Sequence, residues 1–414
     1  MTSGRWTGWW REASPEARRA LWAAALGWML DAFDVMLYAL VLTALMQDLG
    51  LTKATAGLLG SVTLVASAVG GVGFGLFADR YGRTRALMTS IIVYSVFTAA
   101  CGLAQSALQL AIFRIALGLG MGGEWASGAA LVAETWPDEH RAKALGLMQS
   151  AWAVGYALAA LVTSLLLPSF GWRVVFFVGV LPALVTIWIR SAVPEPRVWR
   201  EARQQSPASG LRAVWADGRA ARTVALTVMN ACCMFAWWGF NLWIPAYLSL
   251  PAAQGGLAFG TRQMAWLVIL MQVGMWFGYV TFGVVADAFG RKRAYVAYLL
   301  TAAGLMFVYA RVRHPLALLL LGPLVAFFGT GYFTGFGVVT AELYPTAIRA
   351  TAQGLTYNVG RLASAAAPFT VGSLAGQHGF VTAFTVTAAA FLLAACWWLV
   401  IPETRRGSVT PSTA

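Results

Sequence analysis

The chain consists mainly of long apolar segments separated by short polar or basic turns, and this pattern restricts it to one class of fold. About 20 apolar residues in helical form are needed to cross a hydrocarbon core of roughly 30 Å. Because lipid cannot satisfy exposed backbone groups, such runs predict an all-α membrane protein with twelve transmembrane helices. The predicted spans are roughly 20–46, 56–77, 86–105, 108–133, 143–166, 173–192, 222–249, 264–286, 294–311, 315–340, 350–375 and 380–401.

The distribution of charge predicts how the spans are oriented. Only 11% of the 414 residues are charged, and the net charge is +13. Basic residues cluster at both ends and in loops of one side, such as GRTR at 82–85 and GRKR at 290–293. By the positive-inside rule both termini are expected in the cytoplasm, with the protein in the plasma or inner membrane. The cytoplasmic loops account for the positive charge, so no nucleic-acid partner is expected.

An internal duplication divides the chain. GLFADRYGRTR at 75–85 recurs as GVVADAFGRKR at 283–293, a shift of 208, and ETWPDEHRAKALG at 134–146 aligns with ELYPTAIRATAQG at 342–354. Two pseudo-symmetric six-helix bundles are therefore predicted. The expected segments are an N-terminal cytoplasmic segment 1–19, a bundle 20–192, a linker 193–221, a second bundle 222–402 and a tail 403–414.

The paired loop motif resembles that of the major facilitator superfamily, and the likeness extends over nearly the whole chain. This resemblance implies a secondary carrier that works by alternating access around a central site. It also implies that the loops stabilise one end-state of the transport cycle. Glu134 with Arg141, and Glu342 with Arg349, are predicted to form similar cytoplasmic latches. The remaining residues assigned to gating are Asp79, Arg80, Gly82, Arg83, Asp287, Gly290 and Arg291.

Charges inside the predicted spans are not duplicated, whereas those in the loops are. Charged groups in hydrocarbon cost several kcal/mol and normally face a cavity or one another, so a functional role is the first hypothesis for them. At five charged positions within the spans, the residue 208 positions away in the other half is uncharged. These positions are Asp31, Asp34, Arg114, Glu124 and Arg361.

Four of these charges are predicted to act together in the first half. Asp31 and Asp34 share one helical face, and a rise of about 1.5 Å per residue puts Glu124 at the depth of Asp31. Arg114 lies nearer the outside and is predicted to pair with Asp34. The stretches DAFD and RIALGLGMGGEW resemble those of proton symporters for aromatic acids, sialate and lactate. That resemblance implies proton coupling by the two aspartates, with Arg114 and Glu124 as partners; which acid binds the proton stays open.

Arg361 is the only charge predicted to be buried in the second half, with Asn358 one turn away. A guanidinium facing a cavity would bind a carboxylate through two hydrogen bonds. The alternative is an ion pair with Asp31 or Glu124 that holds the empty carrier shut, and the two states could alternate. Further candidates for substrate binding are Asn241, Trp238, Tyr38, Gln149, Tyr156 and Tyr357.

The predicted function is proton-coupled uptake of a small organic anion, such as a monocarboxylate or aromatic acid, by a monomer in the lipid bilayer. The proton gradient drives it, and no cofactor or metal is expected. The alternatives are a proton-antiporting exporter of hydrophobic compounds, which has less need of Arg361, and a sensor built on a carrier fold. An enzyme is not expected, because His140, His314 and His378 all fall in loops, where they cannot build a triad or zinc site within the membrane.

Overall fold

The computed structural model describes residues 10, 12–195, 212–216, 218–344 and 346–404. Contacts divide the chain into two compact units. The first comprises Met1–Pro207 with Phe259–Ile269, and the second comprises Ala208–Ala258 with Leu270–Ala414. Most of the predicted linker, 196–211 and 217, lies outside the described residues, as do 1–9, 11 and 405–414 of the terminal segments.

The first half of the described chain is entirely helical in its regular elements. Its helices are α1 Pro15–Asp48, α2 Lys53–Tyr81, α3 Arg83–Cys101, α4 Ala107–Thr135, α5 Asp138–Val178 and α6 Val185–Ala192, with a 3-10 turn at Leu181–Leu184. Helix α1 begins at Pro15 rather than near residue 20 because Ser14 caps it: the Ser14 hydroxyl accepts a hydrogen bond from the Ala17 N–H.

The described part of the second half contains eight helices. They are α7 Arg212–Trp215, α8 Ala220–Ser249, α9 Thr261–Phe289, α10 Arg291–Tyr309, α11 Pro315–Thr330, α12 Phe333–Leu343, α13 Thr346–Ser364 and α14 Ala366–Trp397. A 3-10 turn lies at Ala252–Gln254. Helices α11 and α12 together form a single span of the predicted pattern, interrupted at 331–332.

The described helices account for the twelve predicted spans. Nine stretches are long and apolar enough to cross a membrane, and two of them, Lys143–Ala192 and Ala352–Trp397, are 50 and 46 residues long. Each of these two long stretches bends sharply at a glycine and therefore contains two spans. Helix α10 supplies the remaining span, its first turn being made hydrophilic by three basic residues. The all-α membrane fold with two related halves is thus confirmed.

The duplication is visible in the backbone at sharp turns. Gly171 and Gly379 have φ of 76° and 79°, and Gly82 and Gly290 have φ of 119° and 98°. Both pairs are separated by the shift of 208 found in the sequence. Residues with a Cβ rarely adopt these angles, so glycine allows the chain to reverse between consecutive spans.

A second repeated feature is a glutamate that caps a helix from the far end of its own half. Glu195 accepts hydrogen bonds from the N–H groups of Thr84 (3.1 Å) and Arg85 (3.1 Å) at the start of α3. Glu403 accepts bonds from the N–H groups of Arg291 (2.8 Å) and Lys292 (3.2 Å) at the start of α10. A carboxylate at a helix N-terminus satisfies two N–H groups and favours the helix dipole, so each cap ties the last span of a half to its third.

Candidate functional site

Helix α1 carries Asp31 and Asp34 along its most enclosed stretch. Every residue from Asp31 to Leu42 is buried, and the two aspartates have exposed fractions of 0% and 1%. Three residues separate them, so both lie on one face of the helix. On that face Asp34 lies beside Thr98 of α3 and close to Gly179, where an added Cβ would stand 3.0 Å from its Oδ1 atom.

Glu124 of α4 approaches the same face of α1 one turn before Asp31. The residue there is Gly27, and a Cβ added to it would lie 2.6 Å from Oε1 of Glu124. Oε1 of Glu124 also lies 3.5 Å from a Cβ placed on Gly128, and the methyl group of Ala24 lies 3.3 Å from that same Cβ. Small residues thus make room for a buried carboxyl group between α1 and α4.

Tyr94 of α3 is a member of this cluster that the sequence analysis missed. The side chain is fully buried, and its hydroxyl donates a hydrogen bond to the Gly27 carbonyl at 3.3 Å. The phenol lies within electrostatic range of Asp31, Glu124 and Asp34. Tyrosine is common in apolar segments and is uncharged, so Tyr94 does not stand out among the unduplicated charges. The one sequence signal for it is that the equivalent position in the second half, 208 residues later, is Ala302.

Arg114 does not form the predicted ion pair with Asp34. Its guanidinium carbon lies 3.6 Å from the centre of the Tyr38 ring, and its Nε donates to the Leu59 carbonyl at 3.1 Å. Tyr38 is fixed in turn, because its hydroxyl donates to the Ala56 carbonyl at 2.7 Å. The buried Nη1 of Arg114 has no hydrogen-bond partner among the described residues. The prediction was wrong for this state because an aromatic face and a carbonyl, neither visible as a charge, hold the arginine.

Arg361 of α13 is buried, with 4% of its surface exposed. Among the described residues of its own unit, no acidic side chain forms an ion pair with it. Asn358, one turn earlier, is half-buried, and its side-chain nitrogen donates to the Gly354 carbonyl at 3.0 Å. The binding of an anion by Arg361 stays a prediction.

The other candidates for substrate binding differ in their exposure. The Tyr38 ring packs against the guanidinium of Arg114. Asn241 and Tyr156 are buried, whereas Trp238, Gln149 and Tyr357 are half-buried. Their roles in substrate binding stay predictions.

In the second unit, the position that corresponds to Glu124 is filled by an aromatic side chain. Tyr332 is fully buried, and its hydroxyl donates to the Cys233 carbonyl of α8 at 3.2 Å. Its ring packs against Phe333 and Phe336 at centroid distances of 4.8 and 5.6 Å. The halves therefore share a framework, while the carboxyl cluster belongs to the first unit.

The loop residues form ion pairs that link the start of one helix to the end of another. Arg83 pairs with Glu134 at 3.0 Å, and Arg291 pairs with Glu342 at 3.2 Å and with Asp287. Burial lowers the pKa of Arg291, but its bonds to Glu342 and Asp287 outweigh this effect and raise the pKa above its ordinary value.

Not every gating residue is seen to make the contact predicted from the sequence. Glu134 pairs with Arg83 and not, as predicted, with Arg141, because Arg83 at the start of α3 reaches the end of α4 directly. The side chains of Asp79 and Arg349 lie outside the described part of the chain, so the pairing of Glu342 with Arg349 stays a prediction. Arg80 is exposed, and its guanidinium carbon lies 5.4 Å from the centre of the Tyr81 ring.

Twelve spans in two related halves, with charges buried inside the spans, define a polytopic membrane carrier. Among the described residues, no group of three His, Cys, Asp or Glu side chains could hold a metal ion. The chain belongs to the Major Facilitator Superfamily, whose model matches residues 24–261 and 249–414. It is accordingly a transporter and not an enzyme.

Individual relatives support this assignment. The sialic acid transporter NanX of Escherichia coli is 33% identical over 394 residues, which cover 92% of this chain and 94% of the relative. The cis,cis-muconate transport protein of Acinetobacter baylyi is 33% identical over 381 residues, 89% of this chain and 90% of the relative. The fold also matches the partially occluded, inward-open xylose transporter XylE of Escherichia coli, with a TM-score of 0.76 at 20% identity over 96% of this chain and 100% of that one.

Proposed function

We propose that this carrier imports a small organic carboxylate together with protons. The observation that carries the proposal is the unequal distribution of buried charge. The first unit encloses three carboxyl groups, whereas the second encloses Arg361, which has no acidic partner among the described residues of that unit. One unit thus offers proton acceptors, and the other offers a cation for an anionic substrate.

Arg361 supplies the substrate specificity in this proposal. A guanidinium presents a rigid fork of N–H donors that fits a carboxylate through two parallel hydrogen bonds. A buried guanidinium also carries a large desolvation cost, which an anionic ligand offsets when it binds. Sialic acid and cis,cis-muconate, the compounds named for the two relatives, both carry carboxylates, which supports this class of substrate.

The carboxyl groups of Asp31, Asp34 and Glu124 are the proposed proton carriers. A carboxyl group inside a membrane protein is tolerated when it is protonated or paired with a cation. In this state Arg114 lies against Tyr38 and not against Asp34. A movement of Arg114 towards Asp34 would provide the counter-charge when the proton leaves, which couples proton release to a change of conformation.

The loop ion pairs are the proposed gate. Arg83 with Glu134 and Arg291 with Glu342 occupy equivalent positions of the two halves. With both termini in the cytoplasm, these pairs lie on the cytoplasmic side of the plasma or inner membrane, where their making and breaking would accompany alternating access. The carrier is expected to act as a monomer.

A proton-antiporting exporter of hydrophobic compounds would also use buried acids. It has less need of a buried guanidinium, so Arg361 favours the carboxylate symporter. A sensor on this fold would bind the same ligand without moving it, and only a transport measurement separates the two.

The test uses purified protein in liposomes, with external pH recorded as lactate, benzoate, hydroxybenzoate, sialate or a neutral sugar is added. The expected result is alkalinisation with at least one acid and none with the sugar, and its loss in Arg361→Ala and in Asp34→Asn. If no acid moves protons while a lipophilic cation dissipates an imposed proton gradient, the exporter replaces the symporter. Binding of an acid without either flux would indicate the sensor.

A further inference from the structure

We infer that Tyr94 relays the coupled proton between the carboxyl groups of the first unit. This inference rests on the proposed proton symport.

Tyr94 and its neighbours follow the acidic face of α1. Gly27, Asp31 and Asp34 lie at spacings of four and three on that helix, and so share a face. Tyr94 and Thr98, four residues apart on α3, contact this face at its two ends: Tyr94 at Gly27 and Thr98 at Asp34. The Tyr94 hydroxyl therefore lies where Glu124 meets α1, and Thr98, one turn later on α3, contacts Asp34.

Gly27 is the point where the phenol and Glu124 converge. The Tyr94 hydroxyl lies 3.3 Å from the Gly27 carbonyl oxygen, and Oε1 of Glu124 occupies the space where a Cβ of residue 27 would stand. Two groups able to exchange a proton are thus directed at one residue without a side chain. The relay requires the hydroxyl and the carboxylate to come into contact beside this residue.

Tyr94 has the most weakly held hydroxyl hydrogen on this face of α3. The Thr98 hydroxyl donates to the Tyr94 carbonyl at 2.8 Å, and the Ser90 hydroxyl donates to the Gly120 carbonyl at 2.7 Å. Both distances are ideal for O–H···O bonds. The Ser90 hydrogen is therefore committed to its carbonyl, whereas the Thr98 hydroxyl also lies within hydrogen-bonding reach of Asp34. The 3.3 Å contact of Tyr94 is longer than an ordinary O–H···O bond and can be exchanged for a carboxylate.

The relay conserves atoms and charge. The phenol oxygen accepts a proton from a protonated carboxyl group while its own hydrogen passes to a second, ionised carboxylate. The tyrosine is then unchanged, and one proton has moved between two acids. The acidic groups within electrostatic range of Tyr94 are Asp31 and Asp34 from α1 and Glu124 from α4.

The test compares Tyr94→Phe with Ser90→Ala in liposomes, using the acid from the panel above that the wild type moves together with protons. Tyr94→Phe keeps the ring and removes the hydroxyl; Ser90→Ala removes a hydroxyl of the same helix face whose hydrogen is donated to the Gly120 carbonyl. The relay predicts that Tyr94→Phe slows uptake driven by a pH gradient at least tenfold, while exchange of labelled for unlabelled substrate at equal pH persists. Ser90→Ala is expected to keep both activities.

Equal gradient-driven uptake in Tyr94→Phe and wild type overturns the relay while leaving the symport intact. Failure of the wild type to couple acid and proton movement overturns the symport itself, so the two failures are distinct. If Tyr94→Phe does not fold, 3,5-difluorotyrosine at position 94 replaces it. Its more acidic hydroxyl is expected to shift the pH profile of uptake, and an unchanged profile counts against the relay.

Discussion

The guanidinium of Arg114 lies 3.6 Å from the centre of the Tyr38 ring, and both side chains are fully buried. A cation over an aromatic face in a desolvated setting contributes about 2 kcal/mol. The ring is itself held by the bond from its hydroxyl to the Ala56 carbonyl. In this state Tyr38 keeps the arginine apart from the acids with which sequence analysis grouped it.

A double-mutant cycle with Tyr38→Leu and Arg114→Met is expected to show this interaction. The free energy of unfolding should reveal a coupling of about 1–2 kcal/mol between the two substitutions. Tyr38→Phe serves as the control: it keeps the ring, loses the bond to Ala56 and should cost about 1 kcal/mol. Thermal unfolding in detergent provides the measurement. Additive effects of Tyr38→Leu and Arg114→Met would show that the contact does not stabilise this state.

Substitution of Arg361 by lysine should weaken substrate binding more than its retained charge suggests. Lysine lacks the planar fork, so one charge-assisted hydrogen bond to the carboxylate is lost, at about 2 kcal/mol or roughly 30-fold in apparent affinity. The concentration dependence of acid uptake measures this as a higher KM. Arg313→Lys, at an exposed position, is the matched control. If the two substitutions have equal effects, Arg361 does not contact the substrate.

Removal of either glutamate cap should destabilise its own half of the carrier. Glu195→Ala and Glu403→Ala each remove the acceptor of two backbone N–H groups, and the bonds that are lost are equivalent in the two halves. Each substitution is expected to cost about 1–2 kcal/mol. The glutamine variants, which keep one oxygen but lose the charge, should lie between alanine and wild type in thermal unfolding. A glutamine variant as unstable as the alanine variant would mean that charge, rather than hydrogen bonding, dominates.

The fold could be predicted from sequence because hydropathy and the duplication are strong and independent signals. The five buried charges could be found because each departs from the repeat. The partners of Arg114 could not be found, because they are an aromatic face and a carbonyl. In the loops, the pairing of Glu134 with Arg83 rather than Arg141 could not be found either, because it depends on where two helices end. Tyr94 escaped notice because a hydroxyl in an apolar helix carries no charge, so its role depends on three-dimensional neighbours.

Gly27→Ala should change function with little change in stability. A Cβ at this position would lie 2.6 Å from Oε1 of Glu124, which is the far end of a flexible side chain, so the carboxylate can move away at small steric cost. Alanine also favours the helix over glycine by about 1 kcal/mol, which offsets that cost. We therefore expect a melting temperature close to that of wild type, together with slower gradient-driven uptake and a shifted pH profile.

Gly304→Ala and Gly155→Ala are the controls for Gly27→Ala. At Gly304 no heavy atom lies within 4 Å of the added Cβ, whereas at Gly155 the Cβ would overlap the backbone carbonyl of Met29. The first should raise the stability by about 1 kcal/mol and leave uptake unchanged, and the second should unfold readily because backbone cannot yield as a side-chain end can. If Gly27→Ala behaves like Gly304→Ala in transport, the position of the Glu124 carboxylate against α1 is irrelevant to coupling. If it behaves like Gly155→Ala, the space beside Gly27 serves packing and not proton transfer.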